Sequence, residues 1–509
     1  MKNLKIIIPL VCFLAFCSLF FIKSIDDISE HVTLTYLTTG NIPQNNATEE
    51  ILKELNKVLT RKANAELKIR YVPWDQYIKT YNSIIEAKDG SVDLVCTATD
   101  WLDAWPNAQK GLYLPLSRNM IKRNAPMTFA TIPQEHWDLC KLDNKIYFIP
   151  EDNYAQWINH GFMYRKDWAK EAGLIFGIHS WGDLTQYFEH IRKNRPNVIP
   201  WDVKGLSTDY TAIGYIVSKS DYIPLEGIST THMFGVNKQK FNRIYSPIIE
   251  GNEFIEYAKL MRYWASIGVW RENFSETKNT DNRKEFYQGK TAVDQHHTQT
   301  WYTIVCPRMT KMQHGSNCSF FWFGEERKNL TRTSITHGAM AISAASKNPE
   351  RALKVYDLLR NDPECYYLIN YGIKGKQYII NKEGYREHPV GYDANKDSFD
   401  LNFWWGRNDN LEIRDSESSW DKYDQITELY NEYAIDSPYT NLVWDLTNIS
   451  DEVKKLNSLW NEYMPLICFG KADDPEFYVQ RFRNELKQAG IETVLNELQM
   501  QLNSFNAKK

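Results

Sequence analysis

The chain has 509 residues, 43% of them hydrophobic and 24% charged. That balance belongs to a folded soluble protein of two or three domains and excludes a disordered chain, a collagen and a multi-span membrane protein. Sixty basic residues against 64 acidic ones leave a formal charge of −4, which offers no global attraction to nucleic acid or anionic lipid. The aromatic load is heavier than usual, with 17 Trp, 30 Tyr and 23 Phe. Large rings serve cores first, but flat polar ligands such as sugars need them too.

Lys2 and Lys5 precede an uncharged run from Ile6 to Ile22, and Lys23 closes it. A positive start followed by an apolar stretch is the pattern of an export signal. The run sits at the short edge of a spanning helix, which needs roughly 17–25 apolar residues. Cys17 follows Leu14-Ala15-Phe16, which resembles a lipobox except that Phe16 stands where a small residue belongs. Residues 1–25 therefore read as a signal peptide or membrane anchor, with Cys17 as a lipidation candidate. Anchoring, lipidation and cleavage all place the rest of the chain outside the cytoplasm. Six cysteines lie beyond this segment: Cys96, Cys140, Cys306, Cys318, Cys365 and Cys468. An even count permits three disulfides in any of 15 pairings. Cys306 and Cys318, close in sequence across a polar loop, are the best local pair. Free buried thiols are the equal alternative, because a domain of this size needs no staples.

Val32–Gly40 alternates and is rich in Thr and Tyr, so it reads as a strand. The helix after it is capped by Thr48 and carries Ile51, Leu52, Leu55, Val58 and Leu59 at helical spacing. Glu66–Val72 is a second strand, Pro73 opens a second helix, and Val92–Ala98 is a third strand, apolar on both faces. Strands and helices alternating over short loops predict a parallel sheet. Such sheets bind ligands beyond the carboxyl ends of their strands, where Trp74, Asp100 and Trp101 stand. Further along, Lys145–Glu151 reads as a strand, and a new α/β segment begins near Gly161. Helices are predicted over Trp181–Asn194 and Asn252–Ile267, with a hairpin turning near Asn237–Lys240. A strand follows in Gly289–His297, and a helix carries Pro349 in its first turn. From about Ile449 the chain is mainly helical.

Catalytic signatures are scarce. Gly289-Lys290-Thr291 mimics the tail of a phosphate loop, but Lys284 occupies the position where that loop needs glycine. His296, His297 and Asp294 suggest a metal only weakly, because neighbouring residues on a strand point to opposite faces. A glycosidase needs two carboxylates about 5–10 Å apart, and nothing marks such a pair. What remains is aromatic and polar. Trp157, Trp301, Trp322, Trp404 and Trp405 lie among polar neighbours, and Trp404-Trp405-Gly406-Arg407-Asn408 sets two rings beside forked donors. Rings that stack on a pyranose face beside groups that bond its hydroxyls are the makings of a carbohydrate site.

The segments PWDQY, VDLVCTATDW, GLYLPL, KIYFIPE, GFMYRKDW, GKTAV, WWGRN and YMPLICFG span most of residues 32–505. Their order and spacing are similar to the extracellular solute-binding proteins of sugar ABC importers, the maltose-binding-protein-like group. They look closest to a lipoprotein subgroup of Gram-positive bacteria. The resemblance implies an α/β, two-lobe periplasmic-binding-protein-like fold of type II. Its discontinuous lobes join at a hinge, and the C-terminal region is mainly helical. The expected partition is 32–150 with 290–345 in the first lobe and 151–289 with 346–505 in the second. The resemblance also implies an importer component that binds a sugar or oligosaccharide and hands it to ABC permease subunits. It would be a monomer attached to the outer face of the membrane, with no cofactor, metal or nucleic acid. A secreted carbohydrate-active enzyme and a ligand-sensing receptor subunit are the alternatives. Glu151, Trp157, Asp294 and His297 enter as neighbours of family cleft segments, Trp404, Trp405, Arg407 and Asn408 as a segment facing the cleft from the second lobe, and Trp301 as a ligand candidate from its aromatic and polar setting alone. GKTAVDQHH departs from its relatives in carrying charged and imidazole groups, which suggests an acidic, amino or otherwise modified sugar.

Overall fold

The computed structural model describes residues 30–74, 77–99, 101–152, 160–203, 209–229, 231–271 and 281–508. Cys17, Asp100 and Trp157 lie outside the described residues. The chain divides into two compact units. The first takes residues up to Ala98, Pro106–Asp152 and Gly338–Ile413; the second takes Thr99–Trp105, Asn153–His337 and residues from Arg414 onward. Eight strands build the two sheets that carry the candidate sites, five in the first unit and three in the second. They are β1 (Val32–Thr39), β2 (Ala65–Val72), β3 (Leu94–Thr97), β4 (Ile149–Pro150), β5 (His160–Arg165), β6 (Val293–His297), β7 (Cys318–Trp322) and β8 (Ala339–Ile342).

In the first unit the strand order is β2-β1-β3-β8-β4. β1 runs parallel to β2 from Val32↔Ala65 to Thr39↔Val72 and parallel to β3, as the alternating pattern predicts. β8 and β4 extend the sheet antiparallel. The predicted strand at Lys145–Glu151 is split: Lys145–Ile146 makes a separate small ladder before β4 begins. The helix Ala47–Ala63 buries Ile51, Leu55 and Leu59. Its predicted cap is corrected. Asn45 accepts from the Ala47 N–H at 2.9 Å, whereas the Thr48 hydroxyl is buried and accepts from the Asp400 N–H. The helix ends at Asn64 in the left-handed region with φ 46°, a conformation Asn tolerates. There the fully buried Arg351 donates to the Ala63 and Asn64 carbonyls, both at 2.9 Å. A cation on the orphan carbonyls of a helix end satisfies them and complements the helix dipole.

In the second unit β5 lies between β6 and β7, antiparallel to both. This overturns part of the expected partition. Residues 290–337 belong with 153–289, because β6 and β7 are the two neighbours of β5. Residues 346–413 fall in the first unit, with β8. An aromatic core fills the second unit: Trp181 stacks on Trp264 at 5.9 Å and on Phe323 at 5.6 Å. The helices Ser450–Cys468, Pro475–Gln488 and Ile491–Asn506 bury Leu456, Trp460, Phe482 and Leu498 in the same core. The predicted hairpin is present as Gly235–Asn237 and Lys240–Tyr245. All six described cysteines are buried free thiols. The expected Cys306–Cys318 bridge is not formed; the Cys306 thiol donates to the Cys318 carbonyl at 3.7 Å. No helix among the described residues is long and apolar enough to cross a membrane.

Candidate functional site

In the first unit the end of β2 and the residues after β4 carry the expected groups. Trp74, 43% exposed, stands just past Pro73 with its ring edge-on to Tyr77 at 6.4 Å. Glu151 follows β4 and donates its N–H to the Gly338 carbonyl at 2.8 Å. Any side chain at Gly338 would collide with the Glu151 carboxylate. Burial pushes this carboxyl up to about 7, against the pull of the Arg407 and Arg360 guanidinium groups. Arg360 is itself fixed, donating to the Pro150 and Glu151 carbonyls at 2.8 and 3.1 Å. The Trp404–Asn408 segment divides. Trp404 is 45% exposed and leans on Trp405 at 4.5 Å, while Trp405 is sealed in the core. Arg407 pairs with Asp409 at 2.7 Å. Asn408 is structural, its amide donating to the Arg360 carbonyl and the Asn361 Oδ1 at 3.1 and 3.2 Å. An accessible indole, a guanidinium and a carboxyl near neutrality thus share this unit. They offer stacking, donation and either hydrogen-bonding role.

In the second unit Asp294 is an internal anchor. It is buried in β6 and accepts from Arg283 Nε at 2.8 Å and Asn282 Nδ2 at 3.0 Å. Burial raises its carboxyl and Arg283 opposes that. His297 has company that strand alternation argued against: its ring lies 4.2 Å from that of His296. His297 is the last residue of β6, and the chain turns at once into the short helix Thr298–Thr300, so the alternation stops there. The register His297↔His160 brings in a third imidazole, 5.7 Å from each of the other two. His160 stacks on Tyr210 at 4.3 Å with the planes 5° apart. Burial holds His160 down to about 3, His296 to about 2 and His297 to about 4, so all three are neutral at pH 7. Of the three, His296 lines a cavity of about 950 Å³, with Trp201, Asp202, Arg283, Gln295 and Arg308 also in its wall.

The remaining tryptophans separate by burial. Trp301, expected in a ligand wall, stacks on Phe320 at 5.3 Å and is buried, and Trp322 packs edge-on to Tyr430. Trp101 is half-buried in the turn of Thr99–Trp105. Among the described residues, no group of three or more His, Cys, Asp or Glu is placed to hold a metal ion. Sequence reasoning missed His160, Tyr210 and Arg360. Only the register of β5 against β6 brings His160 to His297, and nothing local marks Arg360.

The family model described as bacterial extracellular solute-binding protein matches residues 41–364. A second model, a domain of unknown function (DUF3502), matches residues 438–507. The chain is 22% identical over 497 residues to a carbohydrate ABC transporter substrate-binding protein of Streptococcus pneumoniae, covering 96% of this chain and 94% of that one. Its fold is similar to that of the N-glycan transport solute binding protein of Streptococcus pneumoniae in complex with Man1GlcNAc. There the TM-score is 0.69 at 19% identity, covering 93% of this chain and 99% of that one. An alginate-binding protein without its calcium ion gives a TM-score of 0.65 at 17% identity, covering 94% and 99%.

Proposed function

Because the chain belongs to the bacterial extracellular solute-binding protein family, we propose that it is the carbohydrate-binding component of an ABC importer. In this role it captures a sugar or oligosaccharide outside the cytoplasm and delivers it intact to a membrane permease. The observation that carries the carbohydrate reading is Trp404, an indole left 45% exposed in the same unit as Arg407 and Glu151. A ring face desolvates the C–H face of a pyranose, while guanidinium and carboxyl groups satisfy its hydroxyls. Likeness to a carbohydrate transporter component over nearly the whole chain supports the same reading.

The work done is binding rather than bond making. A ligand moves the protein between conformers only by its difference in affinity for them. The contacts we assign are Trp74, Glu151, Trp404 and Arg407 in the first unit and Trp101 and His297 in the second. Residues 1–25 hold the protein at the outer face of the membrane, by lipid on Cys17 or as an uncleaved anchor. The protein acts as a monomer without a cofactor.

Thermal unfolding against a panel of mono- and oligosaccharides, with the sugars analysed afterwards by mass spectrometry, tests the proposal. A ligand specific for the folded state stabilises by RT ln(1 + [L]/Kd), about 2.7 kcal/mol at a hundredfold excess over Kd. A rise in Tm with the sugar recovered intact is expected. Recovery of shortened sugar would turn the reading to an enzyme, and no rise with any sugar would overturn it.

A further inference from the structure

We propose that His160 and His297 form a hydrogen-bond-donating subsite for a sugar substituent carrying an sp² acceptor oxygen, either an acetamido carbonyl or a carboxylate. The proposal rests on the carbohydrate reading above and adds the chemistry of one substituent. It starts from what occupies each Nδ1. The backbone N–H of Thr300 points at His297 Nδ1 at 3.3 Å, and the side-chain amide nitrogen of Gln295 meets His160 Nδ1 at 3.1 Å. Both partners can only donate, so each Nδ1 is an acceptor and each neutral ring carries its proton on Nε2. The tautomer also speaks against a metal ligand, since a protonated Nε2 has no lone pair to offer.

The two Nε2–H groups have no protein partner among the described residues, and both side chains are only partly buried. They are therefore donors open to a ligand. Burial keeps the rings neutral, so they donate without presenting charge. Imidazoles in this tautomer offer a donor and no acceptor at Nε2. A hydroxyl brought to them could accept, but its own proton would find no partner there. A carbonyl or carboxylate oxygen accepts from both without bringing an unmatched proton, and a buried polar group left unmatched weakens binding. Tyr210, stacked on His160 and 39% exposed, adds a flat apolar surface beside the donors. Gln295, which holds the His160 ring, and His296, whose ring lies 4.2 Å from that of His297, both line the 950 Å³ cavity, which is of the size that takes a saccharide.

The test is calorimetric titration of the full chain with three series of oligosaccharides matched in length: unsubstituted hexose, N-acetylhexosamine and hexuronate. One substituted series is expected to bind at least tenfold tighter than the unsubstituted one. His160→Phe and His297→Phe keep a flat ring without the donor and should lose most of that preference. His297→Gln keeps an N–H near the same place and should retain part of it. Buffer-dependent binding heat, from proton uptake by an imidazole, would identify the carboxylate; its absence would identify the acetamido group. Nitrogen-15 spectra of the wild-type histidines read the tautomers without any variant, and Nε2–H is expected at both. An Nδ1–H tautomer, equal affinity for the unsubstituted series, or a preference retained in folded Phe variants overturns the subsite and leaves the carbohydrate reading standing. Binding of none of the three series overturns both.

Discussion

Lowering the pH from 7 to 5 puts the imidazole cluster under a defined load. His160, His296 and His297 are held by burial at about 3, 2 and 4, against an ordinary value of 6.5. Below 6.5 the unfolded chain takes up protons that the native state refuses, so stability falls as pH falls, with the window running from about 6.5 down to the native values. Between pH 7 and 5 each such imidazole costs about 2 kcal/mol. Three together cost about 6 kcal/mol, a large part of the 5–15 kcal/mol that domains typically possess. Glu151 works the other way, since its carboxyl is raised to about 7. The assay therefore compares variants rather than absolute curves. Urea unfolding of wild type and His297→Gln at pH 7 and pH 5 should show the variant losing about 2 kcal/mol less across that interval. Equal losses would mean that His297 titrates in the native state, and the argument from its burial would fail.

Three further outcomes are expected. Trp404→Ala should weaken sugar binding by about 1–3 kcal/mol, the scale of one aromatic contact, with unchanged Tm, as calorimetry and melting would show. Glu151→Gln should gain about 2–3 kcal/mol on the wild type between pH 5 and 8, because a carboxyl raised to about 7 loses stability as pH rises from its ordinary value of 4.5 through 7; parallel urea midpoints at the two pH values would refute this. Gly161→Ala should destabilise by 1–3 kcal/mol or more in urea melts, since a Cβ there would overlap the Phe321 carbonyl and lie 2.8 Å from Trp322 Cα.

The start of the first unit was legible because its signals are local. Strand alternation in Val32–Thr39 and helical spacing from Ile51 to Leu59 each report on one element. What failed was long-range. β8 joins β3 antiparallel, and β6 joins β5, through pairings that no local pattern encodes. Hence residues 290–337 and 346–413 fall in the opposite units from those the local patterns suggest. The tryptophans show the same limit from another side. Trp301, Trp322 and Trp405 have polar neighbours in sequence yet are buried, whereas Trp74 and Trp404 are open. Polarity along the chain describes a residue's neighbours, and burial depends on what packs across from it. His297 was found and His160 was not, because their meeting is a matter of register.

The apolar residues that close each core are far from the residues they cover. The second unit seals Phe162 and Trp181 together with Leu498 and Leu502, and the first unit needs β8 and Arg351 to finish a sheet begun at Val32. A nascent chain emerging from its N-terminus therefore carries exposed apolar surface for most of its synthesis. Closing such distant contacts demands loop entropy that only the finished core repays. For a member of an extracellular protein family, closure that waits on distant segments suits a chain that has to leave the cell before it folds.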